Sequence, residues 1–229
     1  MSKTIVVVGF GPGISTAVAE RFGAAGFSVA LVARNAERLA AGAAALEANG
    51  IAAAGITANA ADPASVRAAI TKARDALGPI GAIHWNAFDN TIGGDLMATD
   101  PAALAPLFDV AVVGLLAAVQ EALPDLKSAG DGAVLVTNGA FGEDSPMMDG
   151  AAVHLNAMGL GMANAAKHKL VGMLSQKLKA DGVYVGEVMV AGAVKNTPTG
   201  DGAGIESADV AAAFWALYKG RDEIHARIM

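Results

Sequence analysis

Short β-branched runs alternate along this chain with longer alanine-rich stretches of helical period, and no other feature restricts the fold as strongly. The runs predict strands at Thr4–Val8, Ser28–Ala33, Ile51–Thr57, Gly81–Trp85, Ala133–Asn138, Tyr184–Val190 and Ile224–Met229. Helices are predicted over Gly13–Ala25 and Ala36–Asn49, and from Asp62-Pro63 onward, where an N-cap residue precedes a first-turn proline. A long helix opens at Thr99-Asp100-Pro101, breaks near Pro106 and runs to about Leu126; others span about Leu155–Ala180 and Ser207–Tyr218. Strands alternating with helices at this spacing imply a parallel sheet covered on both faces. Ile5–Val8 and Val134–Val136 are continuously apolar, as strands buried on both faces should be. No linker or composition break divides residues 1–229, so the expectation is one α/β domain with a doubly wound parallel sheet of about seven strands.

An apolar content of 54% raises the question of a membrane. The longest uncharged apolar run, Val110–Val119, is bounded by Asp109 and Gln120, whereas a spanning helix needs roughly 20 residues. Ile5–Val8 is too short for a signal-peptide core. The expected location is therefore the cytoplasm, with no membrane partner. A net charge of −6 without a basic run gives no support for nucleic-acid binding. There is no cysteine, which removes disulfides and thiol nucleophiles. His84, His154, His168 and His225 form no HxH, HxxxH or HExxH spacing, so no metal site is expected.

The first strand runs into Gly9-Phe10-Gly11-Pro12-Gly13-Ile14-Ser15. A tight strand-to-helix turn lets a dinucleotide pyrophosphate approach backbone N–H groups at a helix N-terminus, where the dipole favours anions. The full GxGxxG spacing is absent, because Ile14 stands at the third position after Gly11. About twenty residues further on, where an NAD site places an acidic residue, the chain has Arg34. An arginine there pairs with a 2′-phosphate, which favours NADP(H) over NAD(H). The competing reading is an ordinary solvated arginine.

These motifs, taken in order, resemble those of the short-chain dehydrogenase/reductase family over essentially the whole chain. Val8–Ser15 resembles that family's TGxxxGIG turn, with valine for threonine and serine for the last glycine. Asn59 stands where the family contacts adenine, and Trp85-Asn86-Ala87-Phe88 where it has NNAG. Ala191-Gly192-Ala193-Val194, followed by Thr197, resembles the loop that covers the nicotinamide. The resemblance implies a Rossmann-type fold and a cofactor site using Gly9, Gly11, Gly13, Ile14, Arg34, Asn59, Asn86, Ala87, Asn164, Gly192 and Val194.

The family's proton-transfer residues are a tyrosine, a lysine four positions later, a serine and an asparagine. Here the asparagine position holds Ala111 and the serine position Gly139, with Asn138 before it. Counting back from Leu178 and Gly182 puts the tyrosine at Leu160 and the lysine at Asn164. Counting forward from Gly139 gives Ala152 and Asn156, a disagreement that a longer loop at Gly142–Ala151 would explain. His154, Asn138 and Asn164 are the candidate catalytic residues; histidine side chains titrate near neutrality, which would suit His154 as a substitute proton donor, but the favoured reading of His154 is a partly exposed residue at a helix start. Lys167 and Lys169 read as solvated lysines. Two functional expectations follow. One is an NADP(H)-dependent oxidoreductase with an unusual proton donor, acting on a small carbonyl, alcohol or enone. The other is an NADP(H)-binding protein without catalysis. Helices apolar on more than one face, near Leu104–Leu126 and Leu155–Leu178, add the expectation of a homodimer or homotetramer.

Overall fold

A computed structural model describes residues 3–195, 197 and 204–229. Seven strands form one sheet: β1 (Thr4–Val8), β2 (Ser28–Ala33), β3 (Ala53–Thr57), β4 (Ile80–Trp85), β5 (Ala133–Gly139), β6 (Tyr184–Val190) and β7 (His225–Ile228). Their spatial order is β3-β2-β1-β4-β5-β6-β7, and every neighbouring pair is parallel. The order reverses direction at β1, and the cleft beyond the β1 and β4 ends is where such sheets bind ligands.

Successive side chains of a strand face opposite ways. Val6 and Val8 therefore join a core with α3 (Pro63–Leu77), α5 (Leu115–Ser128) and α7 (Met158–Leu178), while Ile5 and Val7 pack with α1 (Ile14–Ala24), α2 (Ala36–Ala48) and α8 (Ser207–Gly220). The expected doubly wound single sheet is what the chain forms. Asp62 caps α3 by accepting from Ala64 N–H at 2.9 Å, and Pro63 opens that helix, as the sequence predicts.

The long helix continues through the residues that bounded its apolar run. It begins as a 3₁₀ turn at Pro101–Leu104, becomes α4 (Ala105–Phe108), widens to a π-helical segment at Asp109–Gly114 and continues as α5. Pro101–Ser128 is thereby long and apolar enough, by length and composition, to cross a membrane. Leu107, Ala111, Leu115, Ala118, Ala122 and Leu126 are instead buried within the domain.

The helix expected over about Leu155–Ala180 is α7, which starts at Met158 and ends at Leu178, before a 3₁₀ turn at Lys179–Asp181. Residues of the Gly142–Ala151 segment enter α6 (Pro146–His154), and Asn156, with φ 52°, breaks the chain before α7 starts. That extra helix lies between Gly139 and Leu178, the points from which the forward and backward counts start.

Candidate active site

Gly9 ends β1 with φ 84°. A Cβ at Gly9 would lie 2.5 Å from the Ala87 backbone nitrogen, so only glycine lets the first turn touch the end of β4. Asn86 holds the two together: its N–H donates to Val8 O at 2.8 Å and its Nδ2 to Gly9 O at 3.3 Å. The turn also folds onto itself. Ser15 Oγ accepts from Gly11 N–H at 2.9 Å and donates to Gly11 O at 2.8 Å, and Thr16 Oγ1 donates to the same carbonyl. Serine at the family's last glycine position therefore supports the loop. Gly13, with φ 93°, caps α1; no side chain caps this N-terminus and no acidic residue lies in its first turn. The helix thus presents backbone donors and a positive dipole end, the requirements for an anion.

A groove of about 820 Å³ runs across this turn. The expected cofactor residues Gly9, Gly11, Ile14, Arg34, Asn59, Asn86, Ala87, Gly192 and Val194 all line it. Gly13 does not, but it lies against Thr197, where a Cβ would be 2.6 Å from Thr197 Cγ2. Asn164 lies outside the groove wall, buried against Gly139.

The β2 end of the groove carries a second cation that the sequence reading missed. Asn35 accepts from Arg38 N–H at 2.8 Å and starts α2, so Arg38 stands one turn beyond the β2 end. Its guanidinium lies 3.7 Å from where a Gly11 Cβ would be, and Arg34 and Arg38 are both exposed in the groove. The signal was legible as Arg34-Asn35-x-x-Arg38, a capped helix start with cations four residues apart.

At the opposite end the side chains are Thr137, Asp89, Asn90 and Thr91, with Phe88 59% exposed at the mouth. Asn138, in contrast, is fully engaged below the surface. Its Nδ2 donates to Asn164 O at 3.1 Å and to Glu187 Oε2 at 2.9 Å, and its Oδ1 accepts from Gly139 N–H. A Cβ at Gly139 would lie 2.6 Å from Asn164 Nδ2. Gly139 and Asn164, the positions to which the resemblance assigned the serine and, by the backward count, the lysine, thus face each other. Each holds a residue without an ionisable side chain. His154 ends α6 exposed and is not among the groove residues. Ala111 is buried in the widened π turn.

Lys167 departs from expectation. It is 3% exposed on the inner stripe of α7, and burial pushes its ammonium down to about 8, opposed by the nearby Glu187 carboxylate. Lys169 is exposed, as expected. Both tyrosines serve the framework: Tyr184 Oη donates to Glu223 O at 2.6 Å and Tyr218 Oη to Asp131 Oδ2 at 3.0 Å. Tyr218 also packs edge-on against Phe22 and Phe27.

Beneath Thr137 lies His84, with no exposed surface, its Nε2 3.0 Å from Thr137 Oγ1 and its ring edge-on to Phe214. Burial alone pushes its pKa down to about 3. The unfolded chain binds that proton near pH 6.5, so between these values the unfolded state holds more protons. The stability conferred is complete above pH 6.5 and declines as pH falls toward 3, by about 1.4 kcal/mol per unit. Urea unfolding midpoints measured from pH 7 to 4.5 should show this slope, and His84→Gln should remove that component. An unchanged slope in the variant would refute the assignment.

The short chain dehydrogenase family profile matches residues 3–201. No curated protein sequence matches the chain. Among solved structures, a short-chain dehydrogenase/reductase from Serratia marcescens BCRC 10948 superposes with a TM-score of 0.86 at 22% identity, covering 99% of this chain and 96% of that one. An NADPH-bound short chain oxidoreductase from Pseudomonas aeruginosa PAO1, described as containing an atypical catalytic center, gives 0.85 at 21% identity over 99% and 95%. A blue fluorescent protein from a metagenomic library, in complex with NADPH, gives 0.84 at 24% identity over 99% and 96%. At these identities the likeness establishes the fold. With the glycine turn, the strand order and a profile match over most of its length, the chain belongs to the short chain dehydrogenase family.

Proposed function

We propose that the groove binds NADP(H) and that the protein is an oxidoreductase whose reaction does not use a tyrosine acid. The observation that carries the cofactor reading is the pair Arg34 and Arg38 beside an uncapped helix N-terminus. The α1 N–H groups receive the pyrophosphate, and the two guanidinium groups receive a 2′-phosphate. Asn59, after β3, borders the adenine, and Gly192–Val194 cover the other end. NADPH in the Pseudomonas and metagenomic structures supports this reading.

Bound there, the nicotinamide would supply or accept the hydride. This chain's contribution at that end is a hydrogen bond rather than an acid. His84 is neutral, and its Nδ1 is buried without a partner among the described residues. Leaving a bare lone pair costs less than leaving an N–H unpaired, so the proton belongs on Nε2, donated to Thr137 Oγ1. The Thr137 hydroxyl proton is then available to a substrate oxygen in the groove. A neutral donor suits substrates that need polarisation more than protonation, such as enones, with solvent delivering the proton. The Pseudomonas structure, described as containing an atypical catalytic center, supports this reading.

NADPH oxidation followed against a panel of carbonyls and enones tests the reading. Turnover should appear with at least one enone and fall about tenfold or more in Thr137→Val, with NADPH affinity unchanged. Micromolar NADPH binding with no turnover across the panel would support the non-catalytic reading. That second reading is favoured by the replacements at Ala111, Gly139, Leu160 and Asn164.

A further inference from the structure

We propose that His168, Glu187 and His225 form a binding site for a divalent transition-metal ion of the zinc class. Two of the four histidines, 57 positions apart in sequence, converge on one carboxylate. Glu187 of β6 has no exposed surface. Its Oε1 meets His225 Nδ1 at 2.8 Å and is in contact with His168 Nδ1. The three ligand atoms lie within 4.8 Å of one another. Tetrahedral zinc with bonds of about 2.0–2.1 Å needs its ligand atoms about 3.3 Å apart. An ion therefore enters by small rotations of two side chains that are free to make them, His168 and His225 being 37% and 41% exposed.

Three further observations fit a metal site. The remaining carboxylate oxygen, Oε2, is held by Asn138 Nδ2 at 2.9 Å, an outer contact that fixes the ligand's orientation. A surface pocket of about 620 Å³, bordered by both imidazoles, Gln176 and Met173, gives an entry path and room for a water as fourth ligand. Imidazole nitrogen with one carboxylate selects zinc-like ions over magnesium or calcium, which take oxygen ligands. Opposing charge comes from Lys167 inside and from Lys169 and Lys177 at the pocket rim. Affinity in the low micromolar range is therefore expected rather than anything tighter. The site joins α7, β6 and β7. Through Asn138 it reaches the Gly139 N–H and the Asn164 carbonyl, beside the substrate end of the groove.

The test uses tag-free, chelator-treated full-length protein without nucleotide. Zinc titrated against a chromophoric chelator should bind at one ion per chain, and cobalt(II) should give the intense visible absorption of a tetrahedral site. His168→Gln and His225→Gln should each weaken zinc binding at least tenfold, while His154→Gln leaves it unchanged. Each imidazole is partly exposed, so each variant should fold, as its thermal unfolding will show; either folded variant suffices. No saturable uptake by the wild type, or uptake unchanged in the histidine variants, would overturn the proposal.

Discussion

If the proposed NADP(H) site holds, replacing Arg34 and Arg38 together by alanine is expected to weaken NADPH binding about 100-fold while changing NADH binding less than about threefold, because each guanidinium would then contribute a charge-assisted contact to the 2′-phosphate alone. Either single replacement should account for roughly tenfold. Both arginines are exposed and outside the packed core, so the unfolding temperature should hold. Titration of each variant with both nucleotides, by nucleotide fluorescence or calorimetry, checks the result. Equal losses for NADPH and NADH would place these cations on the pyrophosphate and remove the argument for NADP(H). Salt should weaken the wild type toward the variant, since screening acts on exposed charge.

Gly9→Ala should be the most damaging single change in the groove. The backbone at φ 84° disfavours any Cβ by about 1–2 kcal/mol. The added methyl would also meet the Ala87 nitrogen and Cα at 2.5 and 2.7 Å, backbone atoms that cannot step aside as a side chain can. Forced overpacking adds about 1–3 kcal/mol. A loss of about 2–5 kcal/mol in chemical unfolding is expected, together with loss of nucleotide binding. Gly26→Ala is the control: its φ of 96° carries the same backbone strain, but nothing lies within 4 Å of the new methyl. If the two variants lose equal stability, the contact with Ala87 is not what demands glycine at position 9.

The framework was legible because its signals are local. β1, β2 and β6 begin and end where the β-branched runs do, and Asp62-Pro63 marks the start of α3 from within four residues. The glycine turn was equally readable, since φ > 0 at Gly9 and Gly13 is a requirement of the turn itself. What could not be read was placement set by distant segments. Lys167 looks solvated beside His168 and Lys169, and only the packing of α7 on β6 shows it turned inward. Glu187 sits inside an apolar strand, where nothing nearby announces that His168 and His225 will meet it. The separate helix α6 and the break that follows it at Asn156 were missed for a related reason. Leu155 and the residues after it keep helical composition, while the interruption depends on how α7 is received by the segment after β4.

That reception shapes the field in the groove. The first N–H groups of α7, at Met158 and Gly159, donate to the carbonyls of Gly94 and Gly93 at 3.3 and 2.7 Å. The positive pole of this helix is thereby already matched to peptide dipoles and has little left for a ligand. Among the described residues α1 has no such partner, and it lies beside two arginines, whereas the far end of the groove contributes Asp89 and neutral hydroxyls and amides. The binding cleft is therefore polarised along its length. A long, unevenly charged molecule is drawn in with its most anionic end at β2, so orientation is selected before any contact near the reacting atoms is made.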